Sequence, residues 1–221
     1  MFVRNWMREN PVTITPDTLV LEAKKIMQEH GFRRLPVMER QKLVGIVTLN
    51  NLREAQPSAA TSLSIHELNY LLAKMTVAEI MTRKVITCTP EMTLEKAALI
   101  GTKYKIGAMP VIDDGRLVGI ITESDIYRAF LRMLGAKNIP STRVTVDDFP
   151  KDQDAIIKVI SILDGLRLTM VSMVVIDDVP IYGRRQLVFR VNESKVPGLR
   201  EQLGAAGFMV THISIISQED G

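Results

Sequence analysis

One cysteine in 221 residues leaves no disulfide framework and no thiolate-rich metal site. That residue, Cys88, lies between Thr87 and Thr89 in a β-branched stretch that reads as a half-buried strand rather than a catalytic thiol. The three histidines, His30, His66 and His212, lack the spacing of metal ligands. No apolar run approaches the ~20 residues of a spanning helix, and the start, Met1-Phe2-Val3-Arg4-Asn5-Trp6, has no signal-peptide core. A cytoplasmic protein is therefore expected. Also missing are a Gly-rich phosphate loop, a metal cluster and a nucleophile paired with a positioned base, so the chain reads as no enzyme.

What the chain does have is ordinary globular composition, 46% hydrophobic and 24% charged, and a formal net charge of +3 that is unevenly spread. Residues 141–221 hold 9 Lys/Arg against 11 Asp/Glu, leaving 19 against 14 in residues 1–140. That excess suits small anions but lacks the basic stripe expected for nucleic acid. The dominant feature is an internal repeat. Residues 3–55, moved along by 74 positions, fall on 77–129 without a gap. Met7 meets Met81, Thr15-Pro16 meets Thr89-Pro90, Pro36-Val37 meets Pro110-Val111, and Leu43 to Thr48 meets Leu117 to Thr122.

Each copy reads as strand, helix, two strands and a closing helix. In the first, Val12 to Thr15 alternates as a strand, and Leu19, Ala23, Ile26 and Met27 form the apolar face of a helix ended by His30-Gly31. Leu35 to Met38 and Leu43 to Val47 then make a hairpin, tightened in the second copy by Asp113-Asp114-Gly115. Residues 56–64 read as a loop, and Ile65, Leu68, Leu71, Leu72 and Met75 keep the spacing of a connecting helix. Beyond a second break at 135–141, the order is βαββαβ. Its segments are Arg143–Val146, Asp152–Leu163, Leu168–Ile176, Gln186–Val191, Lys195–Ala206 and Met209–Ile216. This is the ferredoxin-like plan, and the nearly all-apolar strand Met170 to Ile176 suggests a sheet covered on both faces by homo-oligomerisation.

The repeats resemble CBS (cystathionine β-synthase) motifs. The residues that carry the likeness are Met7 and Met81, the Val-x-Thr-x-x-Pro strand at Val85 to Pro90 with its counterpart Val12 to Pro16, Leu35-Pro36-Val37 and Met109-Pro110-Val111, and the closing Gly119 to Asp125. The C-terminal third is similar to an ACT domain, and the whole resembles the acetoin utilisation protein B family. The expected fold is thus α/β with α+β: two CBS repeats (1–56 and 77–134) as a pseudo-symmetric pair, a linker and connecting helix (57–76), a second linker (135–141) and an ACT-type domain (142–221).

The resemblance implies a regulatory module whose clefts bind adenosine compounds, with AMP or ATP the expected ligand and no catalytic cofactor. It gives Asp125 the ribose hydroxyls, with Thr122 beside it at the helix start. The same Thr-x-x-Asp spacing also matches an N-terminal capping box. In the first copy Asn51 replaces the acid, so a site of Thr13, Thr15, Thr48 and Asn51 is expected to be the weaker. Arg33 and Arg34, where the second copy has Gly107 and Ala108, are expected on phosphate, against the alternative of solvated arginines. Adenine is expected against Thr87, Ile106 and Met109, which read equally as core. In the C-terminal domain the turn Asp147 to Lys151 has no glycine and two acids that would repel a carboxylate, which favours a dimerisation or coupling surface over amino-acid binding. Expected partners are an adenine nucleotide, a second copy of the chain and an unidentified regulated protein, with neither nucleic acid nor membrane. A ligand-free scaffold and an amino-acid sensor are the competing readings.

Overall fold

In the computed structural model, which describes residues 1–55, 73–136, 140–177 and 185–216, the first repeat's helix α1 (Val20–His30) buries Val20, Ala23 and Met27 on one face. Gly31 ends it in the left-handed conformation (φ 65°), where its N–H reaches the carbonyls of Met27 and Gln28. Strands β2 (Arg34–Glu39) and β3 (Lys42–Thr48) form the expected hairpin, and α2 (Leu49–Glu54) closes the repeat. The second repeat follows the same plan. It runs through a short α3 (Val77–Ile80), α4 (Leu94–Tyr104), β4 (Ala108–Asp113), β5 (Arg116–Thr122) and α5 (Glu123–Met133). Asp114 and Gly115 both take positive φ (44° and 75°), as a two-residue type I′ turn requires. Residues 65–72 of the expected connecting helix lie outside the described residues.

Two details differ from the sequence reading. Val12 to Thr15 is not a strand; only Ile14 pairs, in parallel, with Val37, and Cys88 repeats that bridge with Val111. More important, each repeat's lead-in crosses to the other repeat. The short strand β1 (Arg8–Glu9) pairs antiparallel with β5 of the second repeat, Arg8 opposite Ile120, and Thr82 bridges Ile46 of the first. The exchange is reciprocal at the level of single bonds. Val3 N–H donates to Met92 O and Val77 N–H to Thr18 O, both at 2.8 Å; Arg4 N–H donates to Pro90 O at 3.0 Å and Ala78 N–H to Pro16 O at 2.9 Å. Val77 and Met81 accordingly belong to the core of the first repeat, with Leu35, Val37 and Val47.

The repeated methionines and glycines are the contact points of this exchange. A Cβ at Gly119 would stand 2.7 Å from Met7 Sδ and 3.0 Å from the Arg8 carbonyl, and one at Gly45 would meet Met81 Sδ. Only glycine lets the crossing segment approach that closely.

Residues Met1–Tyr127 and Arg128–Gly221 form two separate compact units. In the second, β6 (Ser141–Asp147), α6 (Gln153–Gly165), β7 (Met170–Ile176), β8 (Gln186–Val191), α7 (Leu199–Ala205) and β9 (Met209–Ile216) build one antiparallel sheet in the order β7-β8-β6-β9. One sheet face, carrying Val144, Leu187, Phe189 and Val191, packs with Ala155, Val159 and Leu163 of α6 and Leu199 and Leu203 of α7. Helix α7 begins later than the expected Lys195 because Pro197-Gly198 intervenes and Gly198 takes φ 73° as its N-cap.

The division at Tyr127/Arg128 lies upstream of the expected break at 135–141. The reason is local to the second unit: Leu134 O accepts from Arg190 Nε (3.2 Å) and Ser172 Oγ (2.8 Å), and a Cβ at Gly135 would strike Val171. Arg190 is buried, which with Arg143 alongside draws its guanidinium below the usual arginine range.

Candidate functional site

The exchanged lead-ins create two clefts, each walled by both repeats. Cleft I, about 480 Å³, sets Asn10, Val12 and Phe32 of the first repeat against Thr122, Glu123 and Ser124 of the second. Cleft II, about 680 Å³, sets Lys84, Ile86 and Ile106 of the second against Thr48, Leu49 and Asn50 of the first. A shift of 74 residues converts each set into the other. Arg33 and Arg34 line both.

Thr122 and Asp125 form a closed capping box. Asp125 Oδ2 accepts from Thr122 N–H (2.9 Å) and from the Thr122 hydroxyl (2.6 Å), while Thr122 Oγ1 accepts from Asp125 N–H (3.3 Å). The carboxylate is 1% exposed. Its Oδ1 stands 3.9 Å from Nε of Arg8, which lines cleft I. Asp125 itself lines neither cleft; Arg8 and Thr122 stand between it and cleft I. The first repeat reproduces the box with a neutral residue: Asn51 Oδ1 accepts from Thr48 N–H (2.9 Å) and the Thr48 hydroxyl (2.8 Å), and Thr48 Oγ1 accepts from Asn51 N–H (3.2 Å). Spacing i to i+3 at a helix start produces this bond set whether the residue is Asp or Asn, since both offer an acceptor oxygen.

The arginines do join the Thr122 wall across the repeats. Arg34 is half-buried, and both its Nη2 and Glu123 Oε2 would crowd a Cβ at Gly107, at 2.5 and 2.9 Å, so the absence of a side chain there admits both. Burial pulls the Arg34 guanidinium below its usual range, Glu123 opposes this and Arg33 adds to it.

The expected adenine set is redistributed. Ile106 lines cleft II, Thr87 is exposed outside both clefts, and Met109 is 2% exposed, lining with Ile106, Ala97 and Thr122 a separate cavity of about 60 Å³. Val12 lines cleft I with Thr122, and Thr13 and Thr15, expected beside Thr48 and Asn51, are exposed outside both clefts, Thr15 being hydrogen-bonded to Thr18. The cause is the exchange of lead-ins, which a reading of each repeat as a closed unit misses. Phe32, which stands 74 residues before Ile106, was detectable by that equivalence alone.

Cys88 is buried, its thiol 3.9 Å from Pro110 O. Burial pushes it from its ordinary 9.0 up to about 11. Iodoacetamide at about pH 8 should therefore leave the folded chain unmodified and label the urea-unfolded chain, read by intact mass. Because the unfolded thiol ionises first, stability present below 9.0 is lost as pH rises towards about 11.

In the second unit the acids near the expected ligand turn have structural partners: Asp147 Oδ1 accepts from Gln186 Nε2 (2.6 Å), and Asp152 Oδ1 caps α6 through Ala155 N–H (2.8 Å). Among the described residues no group of three His, Cys, Asp or Glu could hold a metal, and no helix is long and apolar enough to cross a membrane.

Comparison with known proteins locates the repeats. The sequence model of the CBS domain matches residues 3–58 and 77–132. The chain is 35% identical over 117 residues to inosine-5'-monophosphate dehydrogenase of Korarchaeum cryptofilum, covering 52% of this chain and 21% of the relative. It is 35% identical over 130 residues to L-aspartate semialdehyde sulfurtransferase of Methanocaldococcus jannaschii, covering 58% and 23%. The chain thus spans under a quarter of the length of these two relatives. Among solved structures, the CBS domain pair of protein MJ0100, in complex with 5′-methylthioadenosine and S-adenosyl-L-methionine, is 33% identical with a TM-score of 0.50, covering 62% of this chain and 98% of that one. A Vibrio cholerae protein assigned to acetoin utilization is 29% identical with a TM-score of 0.52, covering 62% and 95%.

Proposed function

The chain belongs to the CBS domain family, and from that membership we propose that it is a non-catalytic regulator which binds adenosine-containing ligands in its repeat clefts and passes the bound state to its C-terminal unit or to a partner protein. The observation that carries this reading is the composition of each cleft from both repeats. A ligand spanning such a cleft touches two bodies at once, so it stabilises the relative setting in which both sets of contacts are made, by its difference in affinity between settings. The complex of the MJ0100 CBS pair with two adenosine compounds supports the ligand class.

In cleft I, Asp125 and Thr122 take the ribose hydroxyls and Val12 and Phe32 flank the adenine, while Arg33 and Arg34, which line both clefts, are the candidates for phosphate. Cleft II, with Thr48 and Asn51, offers a neutral ribose acceptor. The C-terminal unit reads as an ACT-type, ferredoxin-like domain, supported by its βαββαβ order and the sheet order β7-β8-β6-β9. The half-buried strand Met170 to Val175 supports a role for its sheet in pairing with a second copy.

The test is a thermal-shift panel of AMP, ATP, S-adenosylmethionine, 5′-methylthioadenosine and adenosine on the purified chain. A ligand bound only to the folded state adds about 2.7 kcal/mol at a hundredfold excess over Kd, so the midpoint rises by several degrees for at least one compound. A flat panel, repeated by calorimetry, rejects the sensor in favour of a ligand-free scaffold, the role in which the closed Thr122–Asp125 box is simply a helix cap.

A further inference from the structure

The two clefts are equivalent in backbone, yet most of the differences between them move charge the same way. Lys84 stands where cleft I has Asn10, Lys105 where it has Gly31, and Leu49 where it has Glu123. Arg53, also in the lining, stands where the second repeat has Tyr127, and behind these Asn51 replaces Asp125. Cleft II is consequently lined by Arg33, Arg34, Arg53, Lys84 and Lys105, with no acid among the described residues that line it. Cleft I balances Arg8, Arg33 and Arg34 against Glu9 and Glu123.

Lys105 is the sharpest of these differences. It caps α4 at φ 53°, the left-handed conformation that its counterpart Gly31 adopts at 65°. Glycine is the unstrained residue at such a cap, and lysine keeps the strained backbone while delivering an ammonium group to the cleft wall.

Building on the adenosine-sensor reading, we infer that the clefts divide their ligands by charge: cleft II takes a nucleoside polyphosphate, and cleft I an adenosine compound without phosphates. Five cations and no acid hold several phosphate oxygens through charge-assisted hydrogen bonds, and arginine forks suit that geometry. Asn51 fits the same purpose, because a carboxylate there would add a negative charge beside an already polyanionic ligand. In cleft I, Glu9 and Glu123 line the wall and the buried Asp125 lies behind Arg8, a set that disfavours polyphosphate and tolerates a neutral or cationic adenosine. This reverses the sequence expectation of one working site and one weak one.

The inference is tested by calorimetry on the full chain with ATP, inorganic tripolyphosphate and 5′-methylthioadenosine, alone and in sequence. The variant is Lys84→Asn with Lys105→Gly, which installs the residues the other repeat already uses at both positions. Its melting point should equal or exceed that of the parent, since glycine relieves the cap. ATP and methylthioadenosine should bind together, one of each per chain. In the variant, ATP affinity should fall about tenfold to a hundredfold and methylthioadenosine affinity stay within about twofold. Leu49→Glu should weaken ATP in the same sense. Competition of the two ligands for one site, or equal loss of both in the variant, overturns the division by charge while leaving the adenosine sensor standing. Tripolyphosphate binding that the variant loses, with no response to methylthioadenosine, upholds the polyphosphate site and rejects an adenosine ligand for cleft I. If neither ATP nor tripolyphosphate binds, the inference is overturned.

Discussion

Phe189→Ala is expected to destabilise the C-terminal unit by about 3–5 kcal/mol, the cost of emptying a large aromatic site in a close-packed core. Phe189 is fully buried, on the inner strand β8, directly opposite Val144 on β6 and Met173 on β7. Both cross-strand neighbours are held in hydrogen-bonded ladders and cannot collapse into the space. Since a whole domain is worth about 5–15 kcal/mol, the variant should unfold at markedly lower urea, followed by far-ultraviolet circular dichroism. Ile157→Ala, at a helix position 59% exposed, is the control and should change stability by no more than about 0.5 kcal/mol. A loss below about 1 kcal/mol for Phe189→Ala would contradict the packing described here.

Replacing Asp125 separates its two roles. The first repeat already contains the needed control, because Asn51 keeps the same box with its own threonine. Asp125→Asn should therefore fold with unchanged stability while its adenosine affinity in cleft I falls about a hundredfold, as a charged acceptor serving two hydroxyls becomes a neutral one. Asp125→Ala should lose the same affinity and, in addition, about 1 kcal/mol of stability from the missing cap. The two readouts, a calorimetric Kd and a urea midpoint, move independently only if the residue serves both roles. Unchanged adenosine affinity in Asp125→Asn would reduce Asp125 to a helix cap.

Much of the local structure was legible because its causes are local. The helix α1 positions Ala23 and Met27 and the turn at Asp114-Gly115 each follow from residue types within a few positions of one another, whereas Leu19, expected on the same helix face, is the 40% exposed N-cap and Val20 is buried in its place. The capping boxes were legible for the same reason: Thr and Asp or Asn three apart satisfy a helix start with no help from elsewhere. The cleft linings were not legible at that level. Thr87 and Met109 carry the same side-chain chemistry in either arrangement, and which wall they face depends on which sheet the lead-in joins.

By itself, then, the sequence determined that there are two copies of one unit followed by a βαββαβ segment, and that the copies differ at Asn51/Asp125 and around Arg33-Arg34. Tertiary structure alone decided that β1 pairs with β5 and Thr82 with Ile46, so that clefts I and II are each shared by the two repeats and Val12 stands with the second repeat's Thr122. The reason is physical. The exchange is made by backbone hydrogen bonds and by the space over Gly45 and Gly119, and backbone groups are identical at every residue, so a partner far away in the chain leaves no periodic side-chain pattern to read.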